Sequence, residues 1–402
     1  MQKNVLGIVF FTVFLDLLGF GMIIPIQPFY VESFGATAST ITLLGASYSL
    51  MQFIFSPVWG KLSDRIGRRS VILVSTILVA IGHFSFAFAP SLLFLFLARM
   101  LSGAGSANIG AAQAMIADIT TQENRAKGMG IIGAAFGLGF LLGPAMGGLL
   151  VQYGNHLPMV VAGILSVFNF LFAFFYLPET LKPKSSDPIE TSNQINAEVK
   201  GSFWRFQNVY ELMGISLIFT LAFAMMEQTI GLFVKEVWVD PSLSMDIKLK
   251  QSAKLTAYFL VVVGLAASII QGGLIGKLTK KFGEIFLCRL GLILVTLSIG
   301  LIPFVGKSQT YGLLLLVSLV MATGTGLLNP SRNSLLSKGV DAHIQGLAMG
   351  WSHALSALGR VIGPAMAGWV FEQNMNYPFW LASLLMCIPI YWAFRLKSLT
   401  TS

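Results

Sequence analysis

The sequence predicts an all-α membrane protein of twelve spanning helices, arranged as two pseudo-symmetric six-helix bundles. Three observations carry this. Mean hydropathy is +0.76, with 55% hydrophobic and only 11% charged residues. Twelve apolar runs of spanning length follow one another, and a repeat is visible across a polar stretch in the middle. Soluble domains carry about 25% charged residues; the deficit is explained when most of the surface faces lipid. A spanning helix takes about 20 apolar residues, so 402 residues hold a dozen spans, short loops and one longer linker.

The runs fall near residues 5–27, 41–59, 71–89, 92–116, 128–151 and 157–177, then 212–234, 255–275, 285–305, 311–328, 346–371 and 379–394. The segment 182–207 between the sixth and seventh is rich in Ser, Asn, Glu and Lys, as solvated linkers are. It divides the chain into an N-terminal bundle (1–181), a cytoplasmic linker (182–207) and a C-terminal bundle (208–402). Gly60-Lys61-Leu62 with Gly67 returns as Gly276-Lys277-Leu278 with Gly283, an offset of 216. Gly143-Pro144-Ala145-Met146 returns as Gly363-Pro364-Ala365-Met366, an offset of 220. Parallel duplication of a six-helix unit is a transporter signature, with the substrate site near the midplane between the halves.

Orientation follows from Lys and Arg. Segments on the side of the N-terminus hold 18 of them, including Lys61, Arg65, Arg68, Arg69, Arg332 and Lys338. The other side holds five: Lys235, Lys248, Lys250, Lys254 and Lys307. Arg99, Arg289 and Arg360 lie inside spans. The bias places both termini in the cytoplasm of a protein of the cell inner membrane. The net charge of +9 is therefore a topology signal and not a nucleic-acid footprint. Cys288 and Cys387 both fall in spans, so no disulfide is expected. The first run is a retained helix and not a signal peptide, because Asp16 and Pro25 interrupt it and no clean cleavage site follows.

Asp16, Arg99, Glu227 and Arg360 stand within apolar spans. Each costs several kcal/mol in hydrocarbon unless it is paired or faces a cavity, so function is the default reading. At 1.5 Å per residue, Asp16 lies roughly 16 Å from the cytoplasmic end of its helix, and Glu227 and Arg360 roughly 21–24 Å from theirs. Arg99 lies roughly 10 Å from the outer end of its own. All four fit one layer of the bilayer and one shared cavity. Burial favours a neutral carboxyl and a nearby Arg favours a charged one, so a carboxyl alternately exposed and paired carries a proton. The competing assignment is a static ion pair tying helices together. His83 and His353, also in spans, are read as hydrogen-bonded packing residues.

Gly60-Lys61-Leu62-Ser63-Asp64-Arg65-Ile66-Gly67-Arg68-Arg69 resembles the signature loop between helices two and three of the major facilitator superfamily. Its glycines allow a tight turn, and Asp64 can cap a neighbouring helix N-terminus. Leu15-Asp16 with Gly19, Gly21, Pro25 and Pro28, and Arg99 with Gly103 and Gly105, resemble one branch, the twelve-helix drug:proton antiporters that include tetracycline and multidrug pumps. Gly133, Gly137, Gly139, Gly143-Pro144, Gly147 and Gly148 resemble that branch's antiporter motif in helix five, and Pro178-Glu179-Thr180-Leu181 closes helix six as in many members. The resemblance covers essentially the whole chain. It implies a gate loop at Gly60, Asp64, Arg65, Gly67 and Arg68, and proton coupling at Glu227, where several multidrug pumps keep a helix-seven Glu. The second acid that some of them hold in helix ten is missing from Gly324–Pro330, so Asp16 would serve, with Arg99 and Arg360 tuning the cavity. Independently of family, small residues four apart let helices pack closely and slide. This gives a gating role to Gly137, Gly139, Gly143, Pro144 and Gly147.

Enzyme motifs are absent: there is no phosphate-binding Gly-x-x-x-x-Gly-Lys-Ser/Thr, no His-Glu-x-x-His, no Gly-x-Ser-x-Gly and no complete dinucleotide fingerprint. The expectation is a non-enzymatic secondary transporter, a monomer in the lipid bilayer. It would export a small amphipathic compound against protons, with no cofactor or metal and no nucleic-acid partner. A transporter of a specific metabolite, such as a sugar or lipid-like molecule, is the rival. A non-transporting sensor or scaffold, which would be expected to carry an appended domain, is the rival from another class.

Overall fold

The computed structural model describes residues 2–120, 122–181, 208–340 and 345–397. The predicted linker 182–207 lies outside them. Among the described residues every regular element is helical, and twelve helices are long and apolar enough to cross a membrane. They are α1 Gln2–Ile23, α2 Ala38–Ile66, α3 Arg68–Ala87, α4 Leu92–Ile119, α5 Gln122–Leu150 and α6 Leu157–Tyr176. The second half holds α7 Val209–Trp238, α8 Met245–Phe282, α9 Glu284–Ser308, α10 Tyr311–Lys338, α11 Gln345–Gln373 and α12 Tyr377–Arg395.

Local sequence explains the starts and bends. Thr37 caps α2, its side chain accepting from the Thr40 amide. Pro158 and Pro378 sit in the first turns of α6 and α12, where a missing N–H costs nothing. α4 tightens to a 3-10 turn at Ser106–Asn108, and α8 widens to a π turn at Ile270–Leu274, beside Gly272 and Gly273.

Several helices outrun the apolar segments that announce them. α8 has 38 residues, about 57 Å at 1.5 Å per residue, against a hydrocarbon core of about 30 Å. Its first turns take up Lys248, Lys250 and Lys254, which the hydropathy pattern assigns to a loop, and its last turns present Lys277, Lys280 and Lys281. α10 likewise continues ten residues past Leu328, through Pro330 to Lys338. Arg332, counted from sequence as a loop cation, is thus a buried helical residue. Helix needs only satisfied backbone, so polar residues continue it past the lipid.

The α1, α7 and α12 ends near the chain termini define one face, called here the terminal face; the other is the far face. Each half has its own apolar core. At the far face the first half's core, including Met22, Phe29 and Leu44, runs on into Leu232, Leu249 and Ala253 of the second half. At the terminal face its core, around Val9, Val71 and Ile132, holds first-half residues alone.

Candidate transport pathway

The polar contacts that join the halves gather at the far face. Lys235 of α7 pairs with Glu32, which ends the short helix after α1, and lies 3.4 Å from Glu236. The Ser39 amide donates to Glu372 Oε1 at 2.9 Å, joining α2 to α11. Asn155 Nδ2 donates to Asp246 Oδ1 at 2.9 Å, and Gln152 Nε2 to the Lys250 carbonyl at 3.1 Å. Deeper in, the Gln228 amide lies against Gly45, and Ser268 Oγ donates to the Gly137 carbonyl at 3.4 Å. Beyond that level, Gly130 and Gly133 of α5 and Gly272, Gly273 and Gly276 of α8 have room for a side chain with nothing within 4 Å. Among the described residues, the contacts between the halves thus gather toward the far face.

The helix-five glycines that meet another helix divide into two sets. A Cβ added at Gly139 would come within 2.6 Å of Leu17 Cβ, and one at Gly143 within 2.7 Å of Gly21 Cα; Gly147 abuts the Met22 carbonyl. Those three pack α5 on α1, inside the first half. Gly137 and Gly148 instead meet Ser268 and Ala257 of α8, across the halves. Gly264 returns that contact against the Phe140 carbonyl and Leu141, and Gly363 abuts the Leu221 carbonyl on α7. The sequence could not divide them, because residues four apart share a face without revealing which helix covers it.

The mid-span charges form a chain across both halves. Asp16 is held inside the first: Asn169 Nδ2 donates to its Oδ1 at 2.9 Å and Asn108 Nδ2 to its Oδ2 at 3.3 Å. Asn169 also donates to the Thr12 carbonyl, and Asn108 to Ser75 Oγ. A small cavity lined by Val9, Thr12, Ile72, Ala112 and Leu177 lies on the terminal side of this carboxylate. Arg99 is buried, its guanidinium 5.4 Å from the Tyr48 ring centre and 5.0 Å from that of Phe86. Tyr48 lies within electrostatic reach of Asp16, Arg99 and Arg360. Glu227, half-buried on α7, lies within reach of Arg360, which stands exposed at mid-span on α11. Among the described residues, no ion pair of 4.0 Å or less joins any of these four charges. Glu227 and Arg360 thus lie within electrostatic reach of each other, while Asp16 is held behind two amides.

At the terminal face, Gly67 takes φ +104°, which a side chain would resist, and turns the chain from α2 into α3. The first amides of α3 donate to Glu179: Arg68 N to Oε1 at 2.9 Å and Arg69 N to Oε2 at 3.1 Å. The helix cap expected of Asp64 is supplied by Glu179, while Asp64 pairs with Arg68 one turn on. Arg68 Nε also lies 3.3 Å from Asp118 Oδ2 on α4. In the second half Glu284 pairs with Lys338. Positions 68 and 284 are 216 apart and 118 and 338 are 220 apart, the two repeat offsets. The clasp recurs with its charges exchanged.

The family model described as Major Facilitator Superfamily matches residues 9–364, with a second match over 259–399. The chain belongs to the major facilitator superfamily. Multidrug resistance protein 1 of Bacillus subtilis (strain 168) is 30% identical over 396 residues, covering 97% of this chain and 95% of that protein. The class B tetracycline resistance protein of Escherichia coli is 30% identical over 369 residues, covering 91% and 88%. Among solved structures, an inward-facing bacterial homologue of the human lysosomal transporter Spinster superposes with a TM-score of 0.77 at 16% identity, over 98% of this chain and 96% of that one.

As a member of this superfamily the protein is a multi-pass secondary transporter. Tyr48, Asn108, Asn169 and Arg332 stand beside the mid-span charges and were not singled out from sequence. An Asn inside an apolar run was the available signal for two of them. Nothing in the sequence marked Tyr48 or set Arg332 apart from the loop cations.

Proposed function

We propose that this transporter exports small amphipathic compounds in exchange for protons by alternating access, with both termini in the cytoplasm of the inner membrane. The names of its multidrug and tetracycline resistance relatives support the substrate type. The Lys and Arg bias supports the orientation, under which the terminal face is cytoplasmic.

One observation carries the coupling: Glu227 lies half-buried at mid-span, within reach of exposed Arg360 yet fixed in no ion pair. A carboxyl so placed changes partners at little cost. Opened to the cytoplasm it releases its proton and is held charged by Arg360. Opened to the other side it takes up a proton and its hold on Arg360 weakens, which ties proton movement to the charge state of the pathway. Asp16, already satisfied by two amide donors, is suited to holding α1, α4 and α6 together.

The test is Glu227→Gln in proteoliposomes. Equilibrium exchange of an amphipathic substrate should persist, while accumulation driven by a pH gradient should fall to background. Full uphill transport in that variant would place the coupled proton elsewhere.

A further inference from the structure

The buried cations of the pathway outnumber the acids free to meet them. Arg99 and Arg332 are 3% and 8% exposed, and in each the Nε and Nη1 atoms donate no hydrogen bond. Arg332 on α10 makes a single long contact, 3.5 Å from Nη2 to Asn333 Oδ1. It stands within electrostatic reach of Arg360 and His353 on α11, which are both exposed and, seven residues apart, share one face of that helix. No hydrogen bond or ion pair joins Arg360 to another described residue, and Glu227 is the acid within its reach. Asp16, the other mid-span acid, has both oxygens occupied by asparagine amides.

A buried guanidinium with unused donors costs free energy until an anion meets it. A planar fork of five N–H groups suits a carboxylate or another oxyanion, which it can hold by two parallel bonds. Arg332 lies six residues, about 9 Å, from the terminal end of its helix and Arg360 lies at mid-span. The two cations therefore stand on the second half between its terminal quarter and mid-span, within electrostatic reach of each other.

We propose that the cargo is anionic: an amphipathic carboxylate or related oxyanion whose head group is received by Arg332, Arg360 and His353. This rests on the transport reading above and names the class of compound carried. The apolar body would lie against the aromatic and methionine side chains of the cleft, and the anion would stand in for the partner these arginines lack.

The experiment uses the full-length protein in lipid nanodiscs with two matched series, aryl carboxylates beginning with 1-naphthoate and aryl ammoniums beginning with 1-naphthylmethylammonium. The carboxylates should bind, and Arg360→Gln and Arg332→Gln should each weaken them about tenfold or more, as expected for loss of a charge-assisted pair. The ammoniums should bind weakly and gain or hold affinity in both variants. Arg360 is exposed, so Arg360→Gln decides the matter even where Arg332→Gln fails to fold. Tighter binding of the ammoniums, carboxylate binding indifferent to Arg360→Gln, or failure of every carboxylate to bind would each overturn the proposal. Uptake of both series into proteoliposomes separates the two readings: movement of ammoniums alone sinks the anionic cargo, and movement of neither sinks the export function.

Discussion

Gly143→Ala adds one methyl group, and the structure fixes what that methyl meets. An ideal Cβ there lies 2.7 Å from Gly21 Cα, 2.8 Å from Gly21 C and 3.0 Å from the Leu18 carbonyl oxygen. Carbon atoms rest about 3.5–4.0 Å apart, so α1 and α5 must separate by roughly 1 Å. Every atom met is backbone, and no rotamer change relieves the contact. Overpacking of this kind costs about 1–3 kcal/mol. Gly133→Ala, on the same helix, meets nothing within 4 Å, and relief of glycine's entropy gives about 0.5–1 kcal/mol in the other direction. One substitution at two positions of one helix should therefore have opposite signs. Thermal melting of the purified variants in one detergent, read by loss of the monodisperse species, measures it. Gly143→Ala should melt below the parent and Gly133→Ala at or above it. Equal melting of the two would refute the reasoning, because it would mean that α1 and α5 do not touch at Gly21.

Three further outcomes are expected. Asp16→Asn should destabilise the first half by about 1–3 kcal/mol, because an amide donor then faces the Asn108 or Asn169 donors; melting alongside equilibrium exchange separates this loss from a loss of coupling. Glu179→Gln should weaken the charged cap on the first amides of α3, costing about 0.5–2 kcal/mol, and protease sensitivity of the α2–α3 turn should rise. Glu284→Lys and Lys338→Glu should each lower stability, and the double exchange should recover it, with a coupling of about 0.2–1 kcal/mol because Lys338 is largely exposed. A double variant no better than the sum of the singles would show that the second clasp contributes nothing.

The fold was legible because lipid imposes one rule on every span: a run of apolar residues must close its own backbone hydrogen bonds as helix. The repeat was legible for a similar reason, since Gly67 and Gly283 are held at positive φ by matching turns. The site was legible in part. A charge in an apolar run is visible at once, and Asp16, Arg99, Glu227 and Arg360 all announced themselves. Their partners did not. That two asparagines occupy Asp16 while Glu227 reaches Arg360 depends on which helices pack side by side, and those pairings join residues 92 or more positions apart.

The sequence by itself determined twelve helices, two related halves, the superfamily and the mid-span charges, because hydropathy, spacing and short motifs are local. Only the tertiary structure decided which glycines pack within a half and which lie between halves, that Glu179 caps the signature loop, and that Arg332 is buried. It also decided that the described contacts between the halves gather toward the far face. Packing of one helix on another is settled by all the surfaces competing for it at once, and no single stretch of sequence holds that information.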